Sequence, residues 1–261
     1  MDLKLERLQG ADTGIVLLGL ARLAARNALG RQLLTEFRQA LAGLQADPAV
    51  RVVLVHSLVP GVFCAGADLK ERATLSDAET AAYVQEIGWA FTALENLPMP
   101  VIAVIEGAAM GGGLELALAA DLRVAGANAR MGMVETALAI VPGAGGTQRL
   151  PRLIGVSRAK ELLFTARRIT AAEAGSLGLV DRVVAAGEAL EAALALAREI
   201  LPNGPLALRL AKQAVNHGIS LNLSSGLALE QACYAQVIPT KDRQEGLAAF
   251  REKRPPKFRG E

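Results

Sequence analysis

The sequence predicts an α/β fold that ends in a helical region, and three observations carry that expectation. Short apolar runs alternate with helix-patterned segments over the N-terminal part, which implies parallel strands joined by helical crossovers. From Val183 onward the pattern is helical. Finally, 52% of the 261 residues are hydrophobic and 21% are charged. That composition supports a sizeable core and excludes a disordered chain.

The elements follow in order. Leu3 to Leu8 and Ile15 to Leu20 read as two strands joined by a turn around Gly10–Gly14. Gly30 to Leu44 carries Leu33, Leu34, Phe37, Leu41 and Leu44 at helical spacing. Val52 to Val55 is a short buried strand, and a loop is expected after it. Ser76 and Glu79 form a capping box that opens a helix ending near Leu97, before Pro98. Val101 to Ile105 and Leu122 to Ala125 are two further buried strands. Thr170 and Glu173 cap a short helix. Val184 to Ile200, Gly204 to His217, Leu221 to Val237 and Lys241 to Arg251 read as four helices. The expected division is a core over residues 1–184 and a helical region over 185–261.

Composition also narrows the function. A formal net charge of +2 gives no basic surface suited to nucleic acid. The two cysteines, Cys64 and Cys233, and the two histidines, His56 and His217, have no metal-ligand spacing and no disulfide pattern. No metal is expected, and a reduced compartment fits. No apolar run reaches membrane length, so no membrane partner is expected. MDLKLERLQG reads as a strand, not a leader. The expected location is cytoplasmic, or the mitochondrial matrix if a transit segment has been removed.

Three glycine-containing stretches could carry chemistry. MGGGLELALAAD, Met110 to Asp121, leads three glycines into an apolar helix, so free N–H groups and the positive helix end converge there. No Lys-Ser or Lys-Thr follows, and GxGxxG does not fit, so it is neither a P-loop nor a dinucleotide fingerprint. Glu115 stands in its first turn among Leu and Ala. A carboxylate in such company costs free energy unless it is paired or used. MGMVETALAIVPGAGGTQRLPRLIG, Met131 to Gly155, isolates Glu135 in the same way, and its PGAGG turn precedes a helix start. Two such glutamates suggest a pair that divides acid and base roles. In VFCAGADLKER, Val62 to Arg72, Gly66 permits an unusual backbone that could aim the Ala67 N–H into a site, and Asp68 reads as a cap.

Together, FCAGADLKE, MGGGLELALAAD and ETALAIVPGAGGTQRLPRLIG resemble the crotonase, or enoyl-CoA hydratase/isomerase, family along nearly the whole chain. The resemblance implies a crotonase-like spiral of ββα repeats with a C-terminal helical trimerisation region, assembled as a homotrimer or a dimer of trimers. It implies hydration of a 2-enoyl-CoA with no cofactor, coenzyme A being part of the substrate. Glu115 and Glu135 match the glutamates that hold the water. The Ala67 and Gly112 N–H groups match the thioester oxyanion donors. Ala65, Lys70, Phe250 and Lys253 match positions that contact CoA. Ala21-Arg22-Leu23 stands where the family often has N-R-P.

The tail CYAQVIPTKDRQEGLAAFREKRPPKFRGE and AGADLKER resemble the branch that hydrates 3-methylglutaconyl-CoA in leucine degradation, and the enoyl-CoA hydratase domain-containing branch shares them. A distal acyl carboxylate needs a cation, and Arg72 falls where straight-chain hydratases often place an apolar pocket residue. The alternatives are a short-chain hydratase of fatty-acid oxidation, an enoyl-CoA isomerase, which needs only the Glu135 equivalent, and an RNA-binding module. Some members of the branch bind AU-rich RNA through a lysine-rich helix. Arg31 to Arg51 has no lysine here, and Glu36 and Asp47 dilute its charge, so RNA binding is not expected.

Overall fold

In the computed structural model, which describes Met1–Glu261, ten strands form two sheets. β1 (Leu3–Arg7) and β2 (Ile15–Leu20) make an antiparallel pair. After α1 (Arg31–Ala46), the chain winds in turns that give one strand to each sheet. β3 (Val52–Ser57) is followed by β4 (Val62–Cys64), α2 (Leu69–Arg72) and α3 (Asp77–Glu95). β5 (Val101–Ile105) is followed by β6 (Ala108–Met110) and α4 (Gly112–Leu118). β7 (Leu122–Gly126) is followed by β8 (Arg130–Gly132), α5 (Gly146–Ile154) and α6 (Val156–Thr165). β9 (Ile169–Thr170), α7 (Ala171–Leu177) and β10 (Arg182–Val184) complete the two sheets. The large sheet has the order β1-β2-β3-β5-β7-β10 and the small one β4-β6-β8-β9. This is the ββα spiral that the resemblance implies.

Strand alternation explains why the large sheet reads as unbroken apolar runs. Successive side chains point to opposite faces, and here both faces are covered. Val16, Leu18, Val53, Val55, Val101 and Ala103 enter the main core. Ile15, Leu17, Val52, Leu54, Ile102 and Val104 face a second cluster closed by Ala189, Ala193 and Ala197. Those three alanines belong to α8 (Ala189–Ile200) and recur at i, i+4 and i+8, one stripe of a helix. Burying a Leu or Ile side chain contributes about 1.5–3 kcal/mol, so both faces are needed to hold the sheet.

Two sequence expectations change. The helix expected from Val184 begins only at Ala189, because Arg182–Val184 pairs in parallel with Val124–Gly126 and extends the large sheet. The loop expected after β3 contains β4 and α2. Within the expected helical region of 185–261, α8 packs on the sheet, whereas α9 (Pro205–Gly218), α10 (Leu223–Val237) and α11 (Lys241–Glu252) follow it. α9 is tied to the core by Lys212 Nζ, which donates to Asp121 Oδ2 at 2.7 Å and to the Met99 carbonyl at 3.1 Å. No helix is long and apolar enough to cross a membrane.

Candidate active site

The site follows from the small sheet. β4, β6 and β8 are adjacent and parallel, so the segments leaving their C-terminal ends lie side by side. The turn after β4 carries Ala67, the start of α4 after β6 carries Gly112 and Glu115, and the segment after β8 carries Glu135. Open parallel sheets place their ligands at this end of their strands.

Glycine makes the close approach possible. Gly66 has φ +97, and a Cβ there would lie 2.7 Å from the Met110 carbonyl oxygen. A Cβ on Gly113 would lie 2.2 Å from the Cys64 carbonyl oxygen, so only glycine lets α4 dock on β4. A Cβ on Gly112 would lie 3.5 Å from the Ala67 nitrogen, which fixes the two amides as neighbours. Neither amide donates to a backbone carbonyl. Two free N–H groups beside each other can receive an oxyanion.

Arg22 clasps the first of these turns. Its Nη1 donates to Asp68 Oδ2 at 2.6 Å and to the Ala28 carbonyl at 2.8 Å, and its Nη2 donates to Glu71 Oε1 at 3.2 Å. Asp68 caps α2 as expected, accepting from the Lys70 and Glu71 amides. Burial pushes the Asp68 carboxyl upward, but the Glu71 amide and Arg22 outweigh it and hold the group below the usual carboxylate value. Tyr83 from α3 bonds the Leu29 carbonyl and receives the Asp68 amide. Arg22 and Tyr83 were not singled out by their sequence, because each acts across long separations. Cys64 is buried and donates to the Asn27 carbonyl, and burial pushes its thiol up to about 12, so it is a packing residue.

The two carboxylates sit in unlike environments. Glu115 is 3% exposed. Its Oε1 accepts from the Gly146 amide at 2.7 Å and the Ala144 amide at 2.9 Å, while Oε2 has no protein donor. Burial raises its pKa, and the two amides and Arg149 oppose the rise by favouring the anion. Glu135 lies against Gly111, where a Cβ would be 2.9 Å from its Oε1. Its Oε2 is buried with no hydrogen-bond partner. Burial, reinforced by the nearby Glu115, pushes Glu135 up to about 7. Two amides therefore hold one oxygen of Glu115, while burial keeps the proton on Glu135 up to about 7.

A cavity of about 120 Å³ collects these groups. Ala65, Ala67, Gly112, Glu115 and Glu135 all line it, as does Arg72, beside an apolar wall of Leu69, Val84, Ile87, Leu138 and Val141. Arg72 is half-buried and forms no ion pair. The other expected contacts are elsewhere. Lys70 is exposed on the outer side of α2 and does not line the cavity. Phe250, 85% exposed on α11, and Lys253, which ends that helix with φ 54, are also not brought to the cavity. The single chain therefore does not bring these two residues to its own cavity.

Two neighbouring free amides and two unlike carboxylates around one cavity can receive a thioester oxyanion and exchange a proton beside it. A family model described as Enoyl-CoA hydratase/isomerase matches residues 10–261. The mitochondrial methylglutaconyl-CoA hydratase of Homo sapiens is 52% identical over 264 residues, covering 100% of this chain and 78% of that protein. Enoyl-CoA hydratase domain-containing protein 2, mitochondrial, of Mus musculus is also 52% identical, covering 99% of this chain and 89% of its own length. The crystal structure of an enoyl-CoA hydratase from Bacillus anthracis superposes with a TM-score of 0.97 at 46% identity, covering 100% of both chains. The chain belongs to the enoyl-CoA hydratase/isomerase family.

Proposed function

We propose that this protein hydrates a 2-enoyl-CoA, with 3-methylglutaconyl-CoA as its substrate. The observation that carries the reading is the pair of unlike carboxylates on the cavity that holds the two free amides. Glu115 takes a proton from water through its unpartnered Oε2, and the water oxygen bonds to C3. The electron pair of C2=C3 moves onto the thioester oxygen, where the Ala67 and Gly112 amides receive the charge. Glu135 then gives its proton to C2. Each oxyanion donor contributes about 2.7–4 kcal/mol in comparable sites. No metal or redox group enters these steps. An isomerase needs a single carboxylate, and the amide-held Glu115 favours water addition.

Arg72 supports the carboxylated substrate. It is the cation on the cavity wall, and it has no protein carboxylate to satisfy it. A distal carboxylate of the acyl chain supplies that partner through a charge-assisted pair. The test is hydration of 3-methylglutaconyl-CoA beside crotonyl-CoA. The wild type is expected to prefer the branched acid. Arg72→Met is expected to lower kcat/KM for it by about tenfold or more, equivalent to the ~1.5–3 kcal/mol of a charged hydrogen bond, and to spare crotonyl-CoA. An unchanged ratio overturns the role of Arg72, and absence of turnover with both substrates overturns hydration.

The helical tail supports assembly through its apolar face. Leu223, Leu227, Tyr234 and Ile238 of α10 and the residue after it, with Leu247 and Phe250 of α11, are exposed. A patch of this kind is covered in an oligomer, here a homotrimer or a dimer of trimers, in which Phe250 and Lys253 serve a neighbouring chain's CoA. RNA binding is not part of this reading. Arg31 is 3.9 Å from Glu79, Arg38 is 3.2 Å from Glu86, and Arg51 beyond the helix donates to the Leu201 and Asn203 carbonyls, so this segment offers no free cationic cluster.

A further inference from the structure

Glu115 owes its orientation to the turn Gly143–Gly146, and that turn is itself gripped from behind. Arg149, in the first turns of α5, donates from Nη1 to the Ala144 carbonyl at 3.0 Å. The amide of the same Ala144 donates to Glu115. Arg149 in turn is held by Glu95 near the end of α3, with Nη2 2.6 Å from Oε2 and Nε 3.2 Å from Oε1, a two-point fork. The Arg149 side chain is 15% exposed. Its guanidinium lies over Gly145, whose φ is +111 and where a Cβ would meet Nη1 at 2.1 Å. On the other side of the turn a Cβ on Gly143 would meet Val84 Cγ1 at 2.4 Å. The turn is therefore wedged between α3 and the guanidinium. The tail reaches the same anchor, because Asn216 of α9 donates to the Glu95 carbonyl at 3.5 Å.

From this geometry we infer that Arg149 is a positioning residue, which with Glu95 sets the aim and the ionisation of Glu115 through the backbone of Ala144. The inference rests on the reading in which Glu115 is the base for water. Arg149 does not touch the cavity, so it meets neither the substrate nor the water. It acts in two ways. It fixes the carbonyl of Ala144, which keeps the Ala144 and Gly146 amides directed at Oε1 and leaves Oε2 free. It also places a cation behind a buried carboxylate, where a positive charge favours the anion. The charged groups around Glu115 are few: Arg149 from α5, Glu135 across the cavity, Arg72 on the cavity wall, and Glu95 from α3 acting through Arg149.

Arg149→Met, Arg149→Lys and Glu95→Gln test this on the full chain. Crotonyl-CoA hydration is followed against pH, and the 13C carboxyl resonance of Glu115 is titrated by NMR in the unliganded protein. In Arg149→Met, kcat at pH 7 is expected to fall about tenfold, part of the ~10²–10⁴ that a positioned base contributes, with KM within about twofold. The acidic limb of the pH profile and the Glu115 titration should both move to higher pH. Arg149→Lys should recover part of kcat, since lysine keeps the charge without the two-point fork. Glu95→Gln, which keeps the arginine, should shift the titration in the same direction by less. If Arg149→Met and Glu95→Gln leave the Glu115 titration where the wild type has it, or lower kcat equally at every pH, the inference is overturned. If the wild type turns over no enoyl-CoA, the hydratase reading fails, while the NMR titration still decides whether Arg149 controls Glu115.

Discussion

Glu115→Gln and Glu135→Gln are each expected to lower kcat for enoyl-CoA hydration by about 10²–10⁴-fold, the range for a positioned acid or base. KM should change little, because neither substitution removes the amides of Ala67 and Gly112 or the apolar wall of the cavity. The double variant should be scarcely worse than either single one, since both carboxylates serve one addition and their effects do not sum. The pH profile separates the two roles. Glu135 must be protonated to deliver to C2, so kcat/KM should fall as pH rises through about 7, where that group ionises in the free enzyme. Glu115 must be ionised, so activity should also fall at low pH. Glu135→Gln removes the group behind the alkaline fall, and its residual activity should be flat there. Steady-state kinetics of both variants across pH 5–9 check this. A single variant that keeps a tenth of the wild-type kcat, or an alkaline fall that survives Glu135→Gln, contradicts the division of labour.

Much of this site could be read in the sequence, and the parts that could not have physical reasons. Glu115 and Glu135 stood out because an apolar segment tolerates a carboxylate only where something uses it. The capping box of Ser76 and Glu79 is local chemistry, and it forms as expected. β4, β6 and β8 escaped notice because each is three residues long, too short for a period of two to register. Yet these strands bring the three site segments together. Arg182–Val184 becomes a strand only through its pairing with β7, some sixty residues earlier, which no local preference reveals. Lys70 and Arg72 stand two residues apart on one turn of helix, and only the phase of α2 decides that Arg72 faces the cavity and Lys70 the solvent. Arg22 and Arg149 look like ordinary surface arginines in sequence. Their work is done on backbone carbonyls and carboxylates brought near by the fold.

Glu135→Gln should also stabilise the protein at alkaline pH while disabling it. In the folded chain Glu135 holds its proton up to about 7, against an ordinary value of 4.5, with burial as the first cause and the Glu115 charge as a further one. The folded state therefore binds a proton between those values that the unfolded state releases. The sign follows from linkage: the wild type loses stability as pH rises from about 4.5 through 7, and the loss is complete above 7. At about 1.4 kcal/mol per unit the full difference is roughly 3 kcal/mol, and solvent screening of this half-buried group reduces it to about 2 kcal/mol. A neutral glutamine has no such term. Urea unfolding of the wild type and Glu135→Gln should coincide near pH 4.5, where both side chains are neutral, and diverge by about 2 kcal/mol in favour of the variant at pH 8.5. A difference that does not change with pH would mean that the carboxyl is not held protonated by its surroundings. A difference that grows as expected would show that the unpartnered Oε2 is retained at the expense of stability, because a carboxyl that ionised readily would have no proton to give at neutral pH.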